Sequence, residues 1–216
     1  MKRRPVKISP MSDITRCGWS GADAFYNQYH DTEWGVPEYD DQALFAKLIL
    51  DGAQAGLSWI TILRKRENYR KALNNFDMQH MAHYTEDDLL LLMDNPGIVR
   101  NRLKVESFVK NAVGALKIIE QFGSLDAYFW GFVNNTPIKN SPQSMADIAT
   151  RSDISDALSK DLKKRGFKFV GPTTVYAHMQ AAGLVNDHLM KCDRHAEVEK
   201  LGKVDVRAMI KKANRV

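Results

Sequence analysis

The sequence is poor in cysteine and has no long apolar run. Its 216 residues include two cysteines, Cys17 and Cys192, near opposite ends of the chain. A disulfide-rich secreted scaffold is therefore excluded, and a reducing compartment would not normally join the ends by a disulfide. No apolar run approaches the ~18–20 residues that a membrane span needs. No apolar segment follows the basic start MKRR, so we expect a cytoplasmic protein with no membrane partner.

Strand-like alternation is scarce as well, and it is confined to the short stretch 167–170. Apolar residues recur instead at helical spacing, which predicts an all-α fold class. The clearest loop is 134–144, which contains two prolines. Caps and apolar spacing together predict helices that begin after Asp40 or Asp41 and after Ser58, and helices over 85–93, 105–119 (closed near Gly123), 125–132, 155–165 and 172–182,.

We expect a single domain with a tail at each end. A chain of 216 residues is near the upper end of one ordinary domain and can form one core or two lobes that share it. The predicted division is a disordered or extended tail over 1–13, a domain of two helical lobes over 14–195, and a basic C-terminal tail over 196–216.

Positive charge exceeds negative charge and is clustered. The formal net charge is +5, with basic runs at 64–66, at 163–165 and around 211–212, and an acidic run at 86–88. A one-sided basic face would favour a polyanionic partner such as nucleic acid. The alternative is a set of solvated helix ends.

Each cysteine has a histidine at short range. Cys17 is followed by His30, and His188 precedes Cys192 by four residues, a spacing that can place both side chains on one helical face,. Two sulfurs and two imidazoles fill the tetrahedral positions of Zn²⁺, so such an ion would be structural. The alternative, which spacing alone slightly favours, is two buried free thiols with unrelated histidines. His195 is a competing ligand.

The segment 162–174 carries the best backbone motif. Two glycines flank a short apolar turn, and a helix led by Pro172 follows. The helix N-terminus offers unpaired N–H groups to a phosphate, and neighbouring lysines supply positive charge. A helix-hairpin-helix motif grips a DNA backbone in this way without reading sequence; the alternative is a plain helical hairpin that its lysines keep soluble. The candidate DNA-binding residues are Lys163, Lys164, Arg165, Gly166, Lys168, Gly171 and Thr173.

Aromatic residues crowd the N-terminal region, and one carboxylate, Asp51, follows soon after. Aromatic faces attract cations and stack on flat rings, so the cluster suits a planar cationic ligand. Small residues around Gly56 would let the backbone approach a ligand or a DNA groove. The alternatives are core packing for each aromatic residue and tight helix packing for the small residues. The aromatic residues are Trp19, Phe25, Tyr26, Tyr29, Trp34 and Trp59.

Several of these stretches resemble the bacterial 3-methyladenine DNA glycosylase I family. The resemblance covers roughly residues 16–192, and the strings are long and unusual. The matching stretches are RCGW (16–19), YHDTEWGVP (29–37), GAQAGLSW (52–59), RENY (66–69), SDALSK (155–160), KKRGFKFVG (163–171) and GLVNDH (183–188).

The resemblance implies a helix-hairpin-helix glycosylase fold with a structural zinc ion that joins the N- and C-terminal segments, and no organic cofactor. It implies that a flipped base lies against Trp59, and that Leu57 is the wedge that enters the duplex in place of the base. The pocket residues implied are Tyr26, Tyr29 and Trp34, and the implied zinc ligands are Cys17, His30, His188 and Cys192.

One residue departs from the family pattern. The family has a glutamate, which hydrogen-bonds the lesion base, where this chain has Asp51. Aspartate keeps the charge but is one methylene shorter. Because it occupies the position of the family glutamate, Asp51 is the candidate catalytic residue. Asp187 is a second carboxylate to examine. His80, His83 and His178 are interpreted as ordinary surface or core histidines.

The implied activity is monofunctional hydrolysis that releases cationic 3-methyladenine from alkylated double-stranded DNA. No lysine is clearly placed as a Schiff-base nucleophile, so no strand cleavage is expected. We expect a monomer, because grip on one damaged site requires no second subunit. The alternative is a non-catalytic, zinc-stabilised helix-hairpin-helix DNA-binding protein.

Overall fold

The structure is a computed structural model that describes residues 14–202. Helices make up most of this part of the chain, which confirms the all-α fold class. Single 3₁₀ turns lie at Asn74–Phe76 and Met145–Asp147. The helices and strands are α1 (Ala24–Thr32), α2 (Asp41–Gln54), α3 (Trp59–Ala72), α4 (Met78–Met81), α5 (Glu86–Asp94), α6 (Arg102–Phe122), α7 (Leu125–Gly131), β1 (Ile138–Lys139), α8 (Asp153–Lys164), α9 (Pro172–Ala181), β2 (Val185–Asn186) and α10 (Asp193–Gly202).

Three helix ends with a local capping signal lie where the sequence predicts them. The side chain of Asp40 accepts a hydrogen bond from the backbone N–H of Ala43 and begins α2. Thr85 and Asp88 form a reciprocal capping box at the start of α5. Gly123, with φ of +86°, ends α6 in the left-handed conformation that favours glycine,. Local chemistry therefore determines these boundaries.

The main differences concern short elements. The helices α1, α4 and α10 are not among the predicted helices: α4 has only four residues, and α1 and α10 contain few aliphatic residues. The alternating stretch 167–170 is a bend rather than a strand, and Phe169 has φ of +55°. The strand β1 lies inside the predicted loop 134–144 and pairs in parallel with β2, Ile138 opposite Val185.

The division into tails and a domain stays a prediction. The predicted N-terminal tail, 1–13, lies outside the described residues, as do residues 203–216. Residues 196–202, at the start of the predicted C-terminal tail, belong to α10, where Val198 is buried.

The helix α2 lies at the centre of the core, in contact with α3, α6, α7 and α9. Its residues Phe45, Leu48 and Ile49 are fully buried, and burial of each such side chain is worth about 1.5–3 kcal/mol. This packing fixes the C-terminal half of α2, which carries Asp51. The structure contains no helix among residues 14–202 that is long and apolar enough to span a membrane.

Candidate active site

A cavity of about 230 Å³ opens beside the C-terminal half of α2. This is smaller than the roughly 300–1,000 Å³ of pockets that hold drug-sized ligands, so it suits one base rather than a whole nucleotide. The helices α1, α2, α3 and α9 all contribute to its walls. Its lining residues are Trp19, Tyr26, Tyr29, Trp34, Asp51, Gln54, Trp59, Met145, Ile148, Ala177, Gln180 and Ala181.

Five of the twelve residues that line the cavity are aromatic. The ring centroids of Tyr29 and Trp59 are 5.4 Å apart, and Trp19 packs edge-on against Tyr26 at 4.9 Å and Trp34 at 5.2 Å. The structure thus brings together the four aromatic residues predicted to bind substrate. Burial, and then the nearby charge of Asp51, raise the pKa of Tyr29, so its hydroxyl stays protonated at neutral pH.

Asp51 is the acidic residue of this cavity. It is 4% exposed, and burial raises the pKa of its carboxyl group. Its Oδ2 lies 3.3 Å from Nδ1 of His178, a residue of α9 whose side chain is fully buried. These atoms are close enough for an ion pair, but their alignment is too poor for a regular hydrogen bond, so Oδ2 and both ring nitrogens lack one among the described residues.

A buried lysine holds the end of α2. Lys104 of α6 donates hydrogen bonds from Nζ to the backbone oxygens of Ala53 at 2.8 Å and Ala55 at 2.7 Å. These carbonyls lie at a helix C-terminus, where a positive charge is favourable. Lys104 therefore fixes the segment that runs from Asp51 to the turn before α3.

That turn carries Leu57, the residue predicted to enter the duplex, and Gly56, which was predicted to let the backbone approach DNA. Gly56, with φ of +78°, is exposed, and Leu57 is 41% exposed. An apolar side chain with this exposure has no core role, so the structure leaves Leu57 available to contact a ligand.

The α8–α9 hairpin lies against α2 beside Asp51. An ideal Cβ on Gly52 would lie 3.2 Å from Cβ of Phe169, so a larger residue at 52 would push the hairpin away. Buried polar side chains hold the turn: Asn111 hydrogen-bonds both backbone groups of Lys168, and Ser159 donates to the backbone oxygen of Val170 at 2.6 Å. The hairpin is therefore rigidly attached to the helix that carries the carboxylate.

Most of the predicted DNA-binding residues of the hairpin are on its surface. Gly166 needs its glycine, because its φ is +94°, whereas Gly171 has an ordinary φ of −63°. No side chain caps the start of α9, so its first N–H groups are not satisfied in that way. The exposed residues of the set are Lys163, Lys164, Gly166, Lys168 and Thr173.

Arg165 differs from its lysine neighbours. Its guanidinium pairs with Asp161 at 2.5 Å and donates to Gln121 at 2.7 Å. It also lies over the rings of Phe122 and Tyr128, at 4.9 and 5.3 Å from their centroids. The guanidinium of Arg165 is thus bound within the protein. These contacts account for an arginine at this position of the motif even if it does not bind a DNA phosphate.

The four predicted metal ligands meet at one buried point. The ligand atoms of Cys17, His30, His188 and Cys192 all lie within 4.8 Å of one another. The sulfur–nitrogen distances are 3.4 Å for Cys17–His188 and 3.6 Å for both Cys192–His30 and Cys192–His188. Zn–S bonds of about 2.3 Å and Zn–N bonds of about 2.0–2.1 Å at tetrahedral angles would place sulfur and nitrogen about 3.6 Å apart. A buried Cys₂His₂ cluster of this geometry can hold a metal ion.

The outer contacts of the two imidazoles fit the same role. Nδ1 of His30 lies 2.8 Å from Asp31, and Nε2 of His188 lies 3.1 Å from the backbone oxygen of Trp34. Each ring can therefore donate from one nitrogen and present the other to a metal, as ligand histidines do. The hydrogen bond between the two thiols lowers the pKa of Cys192 and raises that of Cys17, so without a metal the pair favours a single thiolate, at Cys192.

The cluster and the cavity share a wall. The Trp34 ring lies 4.6 Å from the ring of His188, and the Trp19 ring lies 5.2 Å from that of His30. Both tryptophans also line the cavity. A change in the Cys₂His₂ cluster should therefore reach the cavity through these rings.

The structure defines the contacts of three further residues whose roles the sequence analysis considered. His195 is not part of the cluster; its Nε2 lies 3.0 Å from the backbone oxygen of Asn140. Asp187 lies outside the cavity lining and accepts hydrogen bonds from Tyr176 and Gln180, so it positions Gln180. His178 is a core histidine as interpreted, but it faces Asp51. It lies three residues after the buried Val175 on α9, and residues three apart lie on the same face of a helix. This spacing indicates that His178 also points into the core.

Comparison with known proteins gives consistent matches over most of the chain. The family model for methyladenine glycosylase matches residues 19–195. DNA-3-methyladenine glycosylase of Haemophilus influenzae is 49% identical over 178 residues, which are 82% of this chain and 96% of the relative. DNA-3-methyladenine glycosylase 1 of Escherichia coli is 48% identical over 179 residues, 83% of this chain and 96% of the relative.

Solved structures match equally well. A structure of 3-methyladenine DNA glycosylase I from Staphylococcus aureus, solved to explain 3-methyladenine recognition, superimposes with a TM-score of 0.81 at 43% identity. The match covers 82% of this chain and 95% of the other.

Proposed function

The chain belongs to the methyladenine glycosylase family and excises 3-methyladenine from DNA; we propose that it does so in the cavity that Trp59 and Asp51 line. The observation that carries this assignment of the site is a single buried carboxylate at the wall of an aromatic, base-sized cavity.

The damaged base is recognised by its charge. Methylation at N3 makes the adenine of a nucleotide cationic, and cation–π contacts with Trp59 and its neighbours are worth about 0.5–2 kcal/mol each. The carboxylate of Asp51 adds an opposite charge and accepts a hydrogen bond from the exocyclic amine. Normal adenine is neutral, so it gains neither the cation–π attraction nor the attraction to the charge of Asp51.

Charge recognition alone does not accelerate the chemical step. The positive charge leaves the base as the glycosidic bond breaks, so these contacts weaken in the transition state. We propose that the enzyme acts mainly by flipping the nucleotide, at an unstacking cost of a few kcal/mol, and by positioning it for water. Water adds to C1′ as the C1′–N9 bond breaks, the bonding electrons neutralise the base, and the proton of the water is released.

The DNA contacts follow from the exposed residues around the cavity. Leu57, on the turn after α2, would occupy the space that the flipped base leaves in the duplex. The start of α9 and the exposed Lys163, Lys164 and Lys168 would hold the backbone phosphates as a helix-hairpin-helix motif does. Arg165 would contribute mainly by keeping α8 packed on α6 and α7.

The metal of the Cys₂His₂ cluster is proposed to be Zn²⁺. Four protein ligands leave no open position, so a bound ion would act as a structural cross-link and not as a source of hydroxide. Cys17 and His30 would be joined to His188 and Cys192, so that the two ends of the domain are held together behind Trp19 and Trp34. We further propose a monomer in the cytoplasm that acts on double-stranded DNA.

A base-release assay tests the function and the site together. The wild type should release free 3-methyladenine from methylated duplex DNA, detected by chromatography; binding without release would indicate the non-catalytic alternative, which the named relatives do not favour. Asp51→Glu then shows how the carboxylate is used. Raised activity would mean that the shorter side chain limits this protein, and loss of activity would mean that the pocket is built around aspartate. Asp87→Glu on the exposed face of α5 is the matched control.

A further inference from the structure

A histidine at the centre of the protein has no evident structural role. The side chain of His178 is fully buried, and neither ring nitrogen has a well-aligned hydrogen bond among residues 14–202. Buried polar groups in folded proteins are almost always hydrogen-bonded, so each exception calls for an explanation. An apolar residue would fill the same space beside the Phe129 ring, 4.9 Å away, without this cost.

The contact of His178 with Asp51 supplies the explanation. Its Nδ1 lies 3.3 Å from Oδ2 of Asp51. Asp51 is otherwise buried in the cavity wall, at 4% exposure, where an ionised carboxylate is unfavourable. A small rotation of the ring would align the pair, and hydrogen bonds of this kind commonly tighten when a ligand binds.

We propose that His178 is a positioning residue for base excision: its Nδ1–H donates to Oδ2 of Asp51, holds the carboxylate ionised, and turns Oδ1 towards the amino group of the flipped base. This inference rests on the proposed function of the cavity. The side chain of aspartate is one methylene shorter than that of glutamate, so its carboxylate reaches less far into the cavity. A hydrogen bond from His178 would fix the orientation of this shorter side chain.

Other charged groups act on the same carboxylate and must be considered in a pH experiment. Lys47 on α2 and Tyr29 on α1 both interact electrostatically with Asp51. Glu33 and Arg66, which form an ion pair with each other, act on Tyr29 and Lys47. Burial raises the pKa of Asp51, and the contact with His178 opposes that rise. The remaining groups are unchanged by a substitution at 178, so a difference between variants reports His178.

The test compares His178→Leu, which removes the donor, with His178→Asn, whose Nδ2 occupies nearly the position of Nδ1. The leucine variant should lose about 10- to 100-fold in kcat/KM for 3-methyladenine release, the range expected for one hydrogen bond to a charged group. Its acidic limb should move to higher pH. The asparagine variant should recover most of the activity and the original limb. Met179→Leu, at a buried neighbouring position, is the control for repacking of α9.

A second measurement keeps the inference separate from the proposed function. The carboxyl pKa of Asp51, followed by NMR of carbon-labelled aspartate and assigned by its absence in Asp51→Asn, should rise in folded His178→Leu. An unchanged pKa, or a folded leucine variant with wild-type kcat/KM and pH profile, would overturn the positioning role. Failure of the wild type to release 3-methyladenine would instead refute the proposed function, whatever the pKa of Asp51.

Discussion

Cys192→Ser should abolish the stabilisation of the protein by Zn²⁺. In the wild type, the sulfur–nitrogen distances of 3.4–3.6 Å already match tetrahedral coordination, so little rearrangement opposes binding,. Serine keeps the approximate size of the side chain but removes one thiolate ligand. The remaining three ligands cannot close the coordination sphere, and the affinity for Zn²⁺ should fall steeply.

The expected magnitude follows from linkage between binding and folding. A metal that binds only the folded state, at a free concentration 1,000-fold above its Kd, stabilises that state by about 4.1 kcal/mol. The entropy of unfolding is about 2.1 cal/mol/K per residue near 60 °C, or about 0.45 kcal/mol/K for this chain of 216 residues,. The quotient is an increase in Tm of about 9 °C.

The assay is a thermal melt of protein stripped with chelator under reducing conditions, with and without added Zn²⁺. The wild type should gain about 9 °C at 1,000-fold excess over Kd, Cys192→Ser should gain little, and His80→Ala, at an exposed histidine outside the cluster, should gain as the wild type does. Equal melting temperatures of stripped and Zn²⁺-loaded wild type, with no Zn²⁺ found by mass spectrometry, would refute the proposed zinc site.

Three further predictions concern the cavity and the DNA contacts. Burial raises the pKa of Asp51 in the folded state above its ordinary value of 3.8. At pH values between 3.8 and this raised pKa, the folded state binds more protons than the unfolded state, so the protein loses stability as pH rises through this range,. Asp51→Asn should therefore raise Tm at pH 7 while lowering base release, and thermal melts should show this gain shrinking towards pH 4; a gain that persists there contradicts the assignment. Trp59→Leu should raise KM for 3-methyladenine release about 2- to 30-fold, from cation–π contacts of about 0.5–2 kcal/mol, but leave the Kd for undamaged DNA nearly unchanged; an equal rise in both would indicate a general DNA-binding role. Lys163→Ala combined with Lys164→Ala should reduce the slope of log K against log salt by about 1 per lost phosphate contact, on all sequences alike, and an unchanged slope would exclude these lysines.

Local signals account for the parts of the fold that the sequence predicts well. The caps Asp40 and Thr85 and the terminating Gly123 act within one turn of their own helix, so they can be identified without tertiary information. The helix α1 also has a capping residue, Asp23, but it is not among the predicted helices. Its inward residues, Tyr29 and His30, are buried only because Trp19, Trp59 and the Cys₂His₂ cluster pack against them.

The candidate site was predictable in its residue types but not in its internal contacts. The resemblance supplied the cavity residues, and spacing alone left the metal ligands undecided because Cys17 and Cys192 are far apart in the chain. Neither could show that Arg165 is engaged by Asp161, or that Lys104 holds the end of α2. Such pairings depend on which helix faces meet.

An all-helical chain, several of its helix ends and a basic hairpin could be predicted from the sequence, because each depends on side-chain type and on neighbours within a few positions. The folded structure was needed to show that a buried histidine faces the single carboxylate of the cavity, and that two tryptophans contact both the cavity and the Cys₂His₂ cluster. The physical reason is that distances between side chains on different helices are fixed by core packing, which no local pattern encodes.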